Sequence, residues 1–490
     1  MTNSVETQSS PTVVDGVTRL STTGISIIVA GGGIGGLMFA LEAWRLGHDV
    51  KVFERNQKLD VLGDAFGVLP PAWTSFHYFP NMKVEYDREA IDAVFSMWHY
   101  DGYKLVHHGD APWNAPGVIN PAKGVHVPWL QTRPVVAQML TGQCQRLGIP
   151  IEYGSPVVTY SETEEKAVVQ VKTDGGVVQA EADIVVAADG VGTKSHAHIT
   201  GHPIKVTSSG YSVYRGLFHL SDIKGKMSSR IIEKFFSGPR PEFRVYGCPS
   251  DTHANIILSK ELFSYALTYK DSKSSEKDSK ESWTSTVPTD HVLKRFSNLE
   301  PDLVELLRLI PDHTVVDWTL RWRDPQPKWA SEGGRVVQLG DSAHSFLPTS
   351  GNGATQACED ALSLATCLRI AGKGKESIAT KVHNKLRFER VSIIQKSGFK
   401  TRSSMHTIDL EAAKRDPDML RQMLIMPQWI WSHNPVQYAL DNYEQALKHI
   451  LEGAPFQNTN IPQGYKYEPW TVAGEMEKEE KETKKGSKNI

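Results

Sequence analysis

A short apolar strand that runs into a glycine-rich turn constrains the fold of this chain more than any other feature. Residues 25–30 read Ile-Ser-Ile-Ile-Val-Ala, and five of the next six residues, 31–36, are glycine. Apolar residues then recur at helical spacing up to Gly47, and a second β-rich run covers residues 49–54. A strand, a helix and a second strand in this order predict a βαβ unit with parallel strands.

The glycines of this turn match the fingerprint of dinucleotide-binding proteins. Gly31 permits the tight turn, Gly33 lets the backbone approach a diphosphate, and Gly36 lets the helix lie close to the strand. Glu54 follows 23 residues after Gly31, where an acidic side chain accepts hydrogen bonds from a ribose and disfavours a 2′-phosphate. The turn therefore predicts a dinucleotide site, but alone it does not separate NAD from FAD.

A second strand, turn and helix in residues 334–360 point to the same ligand. The apolar strand ends at Gly340 and Asp341, a loop rich in Pro and Gly follows, and a helix begins at about Ala354. A carboxylate at a strand tip beside the free N–H groups of a helix can bind a sugar hydroxyl and a diphosphate together. With the glycine turn, this arrangement favours FAD.

A third strand, residues 182–188, ends at Asp189 and Gly190. In this order and at these distances, the three motifs resemble those of the group A flavoprotein monooxygenases, which are built like para-hydroxybenzoate hydroxylase. The chain is most similar to their fungal secondary-metabolite branch, over about residues 25–400. The resemblance implies an α/β (α+β) fold, with a Rossmann-like FAD-binding domain, a second, mostly antiparallel β-sheet substrate domain and C-terminal helices.

The resemblance also implies which residues hold FAD. The glycine turn and Glu54 hold the AMP half, Arg133 reaches the diphosphate, and Asp341 binds the ribityl chain. After Gly190 the usual arginine-containing pattern is replaced by residues 191–196, which leaves contacts to a nicotinamide cofactor there in question. The implied cofactor-binding residues are Gly31, Gly33, Gly36, Glu54, Gly67, Arg133, Asp189, Asp341, Gly353 and Ala354.

The reaction that the resemblance implies uses NADH or NADPH as co-substrate and O2, and it hydroxylates or dearomatises an electron-rich aromatic small molecule in secondary metabolite biosynthesis. We expect a phenolic polyketide, whose phenolate form is the better nucleophile. A fixed cation and a hydrogen-bond donor would stabilise that form. In similar hydroxylases an arginine and a tyrosine at these positions face the substrate, so we expect Arg215 to hold a substrate oxyanion and Tyr246 to donate a hydrogen bond to it.

Other functions stay open on the sequence alone. An indole-alkaloid epoxidase or hydroxylase would use the same oxidant, and an isoprenoid reductase or a non-enzymatic flavoprotein could share the fold. Trp429 and Trp431 suggest a flavin halogenase, but the residues around them do not continue that signature. His344 follows the second motif closely, and we interpret it as a packed side chain rather than as an acid or base.

Composition argues against several other classes. The chain has 54 Lys plus Arg against 56 Asp plus Glu, a net charge of −2, which does not favour a nucleic-acid or anionic membrane surface. Its four cysteines have no CxxC spacing, which favours a reducing, cytoplasmic compartment, and no signal peptide or membrane span is visible. The histidines show no metal-ligand spacing, so we expect no metal. We expect a monomer or a homodimer.

The polar and apolar runs predict how the chain is divided. β-rich runs at residues 211–220, 230–236, 243–248 and 254–258 predict strands of the substrate domain, and residues 271–285 read as a solvated loop. The expected segments are a disordered tail (1–22), the first part of the FAD-binding domain (23–200), the β-sheet substrate domain (201–325), the second part of the FAD-binding domain (326–400), a C-terminal helical region (401–473) and a disordered charged tail (474–490).

Overall fold

The fold is taken from a computed structural model, which describes residues 11–486 apart from 108–109, 124, 129, 250, 272–284 and 421–425. In chain order the strands are β1 (Thr12–Val14), β2 (Val17–Arg19), β3 (Ser26–Ala30), β4 (Asp49–Phe53), β5 (Ala65–Gly67), β6 (Val94–His99), β7 (Lys104–His107), β8 (Leu130–Thr132), β9 (Ile151–Glu152), β10 (Val157–Glu162), β11 (Ala167–Thr173), β12 (Gly176–Ala182), β13 (Ile184–Ala187), β14 (Thr207–His219), β15 (Glu242–Cys248), β16 (Thr252–Leu258), β17 (Leu262–Lys270), β18 (Thr286–Val287), β19 (Val315–Trp322) and β20 (Val336–Gln338).

The helices alternate with these strands in the first part of the chain and dominate the last part. In chain order they are α1 (Ile34–Arg45), α2 (Pro80–Glu89), α3 (Arg133–Arg146), α4 (Ser195–Ile199), α5 (Leu220–Ile223), α6 (Ser229–Phe236), α7 (Thr289–Arg295), α8 (Pro301–Arg308), α9 (Gly353–Ala371), α10 (Glu376–Thr407), α11 (Leu410–Arg415), α12 (Gln428–Trp431), α13 (Pro435–Glu452) and α14 (Val472–Gly486).

A five-stranded parallel sheet, in the order β20-β13-β3-β4-β9, carries the glycine turn. Both of its faces are covered, which explains why β3 is apolar at every position but its first. Ile27 and Val29 belong to the core on the side of α1, α3 and α9, whereas Ile28 and Ala30 pack with the antiparallel strands β10, β11 and β12. This confirms the predicted βαβ unit and the Rossmann-like domain.

An eight-stranded sheet, in the order β18-β19-β14-β17-β16-β15-β6-β7, forms the second layer. Its neighbouring strands are antiparallel except β15 and β6, which are parallel. One face packs against α6 and α8 through Ile231, Phe235 and Leu303, and the other face looks towards the parallel sheet. The predicted second, mostly antiparallel sheet is therefore confirmed as part of the fold class.

Both chain ends are more regular than expected. Residues 12–19 form the hairpin β1-β2, because Asp15 and Gly16 both adopt the positive φ angles, 50° and 75°, that a two-residue hairpin turn requires. Residues 472–486 form α14, whose charged side chains include the Lys481–Glu477 pair one turn apart. Disorder was predicted for residues 1–22 and 474–490, whereas the described parts of these segments include a hairpin at 12–19 and most of α14, and residues 1–10 and 487–490 lie outside the described residues.

Two internal predictions also differ from the structure. Residues 230–236, predicted as a strand, lie in α6, because the Ser228 side chain accepts a hydrogen bond from the Ile231 N–H and caps the helix. The expected boundary between residues 400 and 401 falls inside α10. The predicted loop at 271–285 lies almost wholly outside the described residues, and the other domain boundaries stay predictions.

Candidate active site

A cavity of about 2330 Å³ lies between the carboxyl ends of the parallel strands and the inner face of the large sheet. Pockets for single small ligands usually measure roughly 300–1,000 Å³, so this cavity can hold a dinucleotide and a second molecule. It brings together every predicted site residue except Tyr246: Gly31, Gly33, Gly36, Glu54, Gly67, Arg133, Asp189, Arg215, Asp341, Gly353 and Ala354.

The glycine turn forms a cradle at one end of the cavity. A Cβ atom on Gly31, whose φ is +112°, would lie 2.3 Å from the Ala188 carbonyl oxygen, and one on Gly36 would lie 2.1 Å from the Gly31 oxygen. A Cβ atom on Gly33 would meet none of the described residues within 4 Å. Gly31 and Gly36 therefore shape the turn, whereas Gly33 leaves space beside the first N–H groups of α1, where a diphosphate can bind.

Glu54 fastens the end of β4 to this turn. Its Oε2 accepts a hydrogen bond of 2.7 Å from the Gly32 N–H, and its Oε1 accepts one of 2.8 Å from the Asn56 N–H. An ionised carboxylate has about four acceptor sites. Glu54 can therefore hold the turn and accept hydrogen bonds from the hydroxyls of a ribose at the same time.

Arg133 is the first residue of α3 and lies in the cavity wall. Its Nη1 lies 3.3 Å from Asp60 Oδ2 and also donates to the Leu62 carbonyl oxygen. Its backbone N–H donates to the Asp64 carbonyl oxygen at 2.9 Å. Arg133 thus connects the loop after β4 to α3 and places a positive charge in the cavity wall.

Two carboxylates that follow strand ends, Asp189 and Asp341, line the cavity. Asp189 accepts a hydrogen bond of 2.6 Å from the Tyr160 hydroxyl, and burial raises its pKa. Asp341 is surrounded by protein yet open to the cavity, and no described residue donates a hydrogen bond to its side chain. Burial raises the pKa of Asp341 too, against the opposing effect of His344 and Arg323. Hydroxyl donors of a ribityl chain would give this carboxylate the hydrogen bonds it lacks.

Asp360 on α9 fixes the backbone next to Asp341 through a hydrogen bond. Asp360 Oδ2 accepts a hydrogen bond of 3.1 Å from the Gly340 N–H and lies 2.5 Å from His344 Nε2. Its Oδ1 accepts one of 2.8 Å from Arg387 Nε. His344 is therefore a packed side chain outside the cavity lining, as its sequence context suggested.

Arg215 on β14 lies in the part of the cavity wall that the large sheet forms. Its Nε lies 2.8 Å from Asp64 Oδ2 and its Nη2 lies 2.5 Å from Asp64 Oδ1, a two-point ion pair that fixes the plane of the guanidinium. Trp318 packs against it, with the guanidinium 5.7 Å from the ring centroid. Asp64 was not among the site residues predicted from the sequence, because its partner Arg215 is 151 positions away.

Tyr246 does not line the cavity, and its position argues against the predicted substrate contact. Successive residues of a strand face opposite sides of a sheet, and on β15 it is Val245 and Phe243 that line the cavity. Tyr246 is fully buried on the other side, where its hydroxyl donates a hydrogen bond of 2.6 Å to Glu300 Oε1. His253 and Asn255 on β16 line the cavity instead, and neither was predicted from the sequence.

Curated relatives match nearly the whole chain. The FAD-dependent monooxygenase fsr3 of Gibberella fujikuroi is 35% identical over 461 residues, which is 93% of this chain and 87% of the relative. The FAD-dependent monooxygenase mdpD of Emericella nidulans is 37% identical over 462 residues, with the same two coverages. The chain belongs to the FAD-dependent monooxygenases of fungal secondary metabolism. No model of a known protein family matches it.

Solved structures agree with this assignment. CtdE, solved in complex with FAD and substrate 4, matches the monooxygenase with a TM-score of 0.76 at 25% identity, over 87% of this chain and 100% of CtdE. FqzB matches with a TM-score of 0.76 at 26% identity, over 92% of this chain and 99% of FqzB. A salicylate hydroxylase, at 23% identity and a TM-score of 0.63 over 85% of this chain and 98% of that one, shares the fold. FAD is therefore the cofactor, in agreement with the sequence analysis.

In the described part of the chain, no helix is long and apolar enough to cross a membrane. Nor do the described His, Cys, Asp and Glu side chains form any group of three or more that could hold a metal ion.

Proposed function

We propose that the monooxygenase uses NADH or NADPH and O2 to hydroxylate or dearomatise a phenolic polyketide intermediate. Bound FAD supplies the oxygen-transfer chemistry, and the protein orients the substrate, excludes water with apolar side chains and provides a positive charge. FAD is held by the cradle, Glu54, Arg133, Asp189 and Asp341, and by backbone at Gly67, Gly353 and Ala354 at the start of α9. The open space beside Gly33 and the unsatisfied carboxylate of Asp341 support this arrangement.

The observation that carries the proposal is the Arg215–Asp64 pair in a largely apolar wall. Around Arg215 the inner face of the large sheet presents Val213, Val245, Ile257 and Trp318 to the cavity. Apolar and aromatic walls suit a flat ring system and keep water away from the reacting carbon. A fixed cation among them stabilises a phenolate, whose ring is the better nucleophile.

Asp64 acts as a positioning residue in this proposal. A guanidinium carries five N–H donors in a rigid fork, so one arginine can hold a carboxylate and a substrate oxygen together. The pair joins β14 to the loop between β4 and β5, and it therefore sets the place of the charge relative to the cofactor half of the cavity. A substrate anchored at Arg215 lies against the sheet face, beside the bound cofactor.

Incubation of the yellow holoenzyme with NADH or NADPH and a panel of hydroxynaphthalenes, hydroxyanthraquinones and indoles tests the proposal. Mass spectrometry under isotopically labelled dioxygen should show one labelled oxygen atom in a phenolic product, together with substrate-stimulated oxidation of one of the two nicotinamide nucleotides. Oxygenation of the indoles alone would overturn the phenolic substrate class. Reductant consumption that no aromatic compound stimulates would overturn the hydroxylase itself.

A further inference from the structure

A groove runs along β17 in the part of the cavity wall that the large sheet forms. Alternate residues of this strand present small side chains to the cavity, namely Ser264, Ala266 and Thr268. The two neighbouring strands, β14 and β16, present mostly larger ones: Val213 and Arg215, and His253, Asn255 and Ile257. We call the depression above Ser264, Ala266 and Thr268 the β17 groove.

Arg215 and Asn255 lie opposite each other across the middle of this groove. Arg215 pairs with Ala266, and Ala266 pairs with Asn255, so the three residues form one row across three strands. Neighbouring strands are about 4.8 Å apart, which separates the outer two Cα atoms by roughly 10 Å. Ala266, between them, is partly exposed and has only a methyl group. A flat ring system lying on Ala266 would therefore have Arg215 at one edge and Asn255 at the other.

The side-chain amide of Asn255 makes no hydrogen bond with a described residue. Asn255 is partly exposed and lines the cavity. Its Oδ1 is buried without a partner among the described residues, whereas its Nδ2 is not buried and is the end of the amide that is accessible from the cavity. Polar groups in a largely apolar wall are normally hydrogen-bonded. The Nδ2 group thus provides an N–H donor for a bound molecule.

Two other polar side chains of the groove are bonded within the protein. The Ser264 hydroxyl donates a hydrogen bond of 3.1 Å to the Gly216 carbonyl oxygen. His253 Nδ1 lies 3.0 Å from Nε2 of His406 on α10. These contacts stabilise the wall itself, and Asn255 differs from both residues because its accessible amide end has no such partner among the described residues.

The two sides of the groove ask for the same kind of atom. The Arg215 guanidinium and the Asn255 Nδ2 group are both donors, so each needs an acceptor oxygen on the ligand. A hydroxyl, a carbonyl or an ether oxygen meets this need at Asn255. A ring system with a single oxygen, held at Arg215, would leave the Asn255 donor covered and without a partner. A site that hydrogen-bonds a substrate group discriminates against the analogue that lacks this group.

We propose that Asn255 determines substrate specificity by donating a hydrogen bond from Nδ2 to a second oxygen of the substrate. This oxygen lies at the edge of the ring system opposite the oxygen that Arg215 holds. The inference rests on the proposed phenolic substrate and narrows it to fused aromatic systems that carry oxygen atoms on two opposite edges. Asn255 positions the substrate and takes part in no transfer of protons or electrons.

Titration of the oxidised holoenzyme with 2-naphthol and with 2,6-dihydroxynaphthalene, without reductant, tests the contact through the flavin absorbance. The wild type should bind the diol about 10-fold more tightly than the naphthol, as expected for one additional hydrogen bond. Asn255→Leu keeps a similar volume without the donor, and its preference should fall to about twofold, the statistical factor of two equivalent hydroxyls. Asn255→Ser, whose side chain is too short to reach, should show the same loss. Ser264→Ala is the matched control and should keep the wild-type preference, because that hydroxyl is bonded to Gly216.

Ala266→Leu tests the groove itself. The larger side chain fills the floor, so both ligands should bind about 10-fold or more weakly while the flavin spectrum shows that FAD is retained. Wild-type affinity in this variant would overturn the groove as the binding place. A wild type without preference for the diol, or a preference that persists in Asn255→Leu and Asn255→Ser, would overturn the Asn255 contact and leave the phenolic site standing. A wild type that binds neither ligand would instead overturn the proposed phenolic substrate, and the role of Asn255 with it.

Discussion

Arg215 and Asp64 are 151 positions apart in the chain, and they form a two-point ion pair in the wall of the cavity. Because this pair fixes a positive charge where a phenolate would bind, Arg215→Ala should lower kcat/KM for oxygenation by about 100-fold or more. Asp64→Asn should cause a smaller loss, since the charge stays but its orientation relaxes. Product formation by mass spectrometry measures both effects, and the visible flavin spectrum should be unchanged in both variants. Full activity of Arg215→Ala would remove the guanidinium from the substrate site.

For Tyr246 we expect an effect on stability and almost none on activity, because its hydroxyl donates a hydrogen bond to Glu300 on the far side of the sheet. Tyr246→Phe should keep the oxygenation rate within about twofold and should lower the free energy of unfolding by about 1 kcal/mol, the net contribution of one hydrogen bond. Steady-state kinetics and urea unfolding measure the two quantities. A folded Tyr246→Phe protein that no longer oxygenates would show that this hydroxyl reaches the substrate after all.

Two glycines of the turn should have different roles, Gly31 in the stability of the fold and Gly33 in the binding of FAD. A Cβ atom on Gly31 would collide with the Ala188 carbonyl, whereas one on Gly33 would enter open space. Gly31→Ala should therefore destabilise the protein by more than about 1 kcal/mol. Gly33→Ala should leave the melting temperature of the flavin-free protein unchanged and weaken FAD binding, because the methyl group occupies the approach to the diphosphate. Thermal melts and FAD titrations check the contrast, and equal FAD affinity of Gly33→Ala and the wild type would refute the cradle.

Because the pKa of Glu359 on α9 is lowered in the folded protein, we expect the free energy of unfolding to fall in acid. Burial alone would raise its pKa, but Arg390 and Arg387 lower it to about 2, below the ordinary value of 4.5. A carboxylate with a lowered pKa stabilises the folded state at pH values above 4.5, and this contribution is lost as the pH falls from about 4.5 towards 2. Glu359→Gln should cost about 3 kcal/mol at pH 7, and the difference from the wild type should shrink below pH 4.5.

Urea unfolding at a series of pH values measures this difference. The matched control is Glu89→Gln, since Glu89 forms an exposed pair with Arg88 and should change the unfolding free energy by less than about 0.5 kcal/mol. If the difference in unfolding free energy between Glu359→Gln and the wild type does not depend on pH, the two arginines do not stabilise the ionised carboxylate.

The cofactor half of the site could be predicted from the sequence because each of its residues belongs to a local motif, and the position of that motif at the end of a strand fixes its place in the fold. A glycine turn after a strand, or an aspartate at a strand tip such as Asp341, reaches the same crevice in any parallel sheet. The hairpin at residues 12–19 also had a local signal, Asp15-Gly16, which the polar composition of its surroundings outweighed.

The substrate half could be predicted only in part. β15 reads Glu-Phe-Arg-Val-Tyr-Gly-Cys and is buried over most of its length, so its sequence does not show which residues face the cavity, and a shift of one position exchanges Tyr246 for Val245. The partners of Arg215 and His253 are more than 150 positions away, and no local pattern announces them. Such pairs become visible only when the chain is folded.

The central claim is that separate pieces of this chain converge on one FAD molecule, and flavin titration of the protein tests it most directly. The wild type should bind one FAD per chain, and Asp341→Ala should weaken the affinity by about 10- to 100-fold, the effect of losing hydrogen bonds to a charged group. The variant should keep the wild-type fold, including the cavity wall formed by the large sheet. A wild-type protein that takes up no FAD from an excess, or an Asp341→Ala protein that retains it with wild-type affinity, would contradict the account.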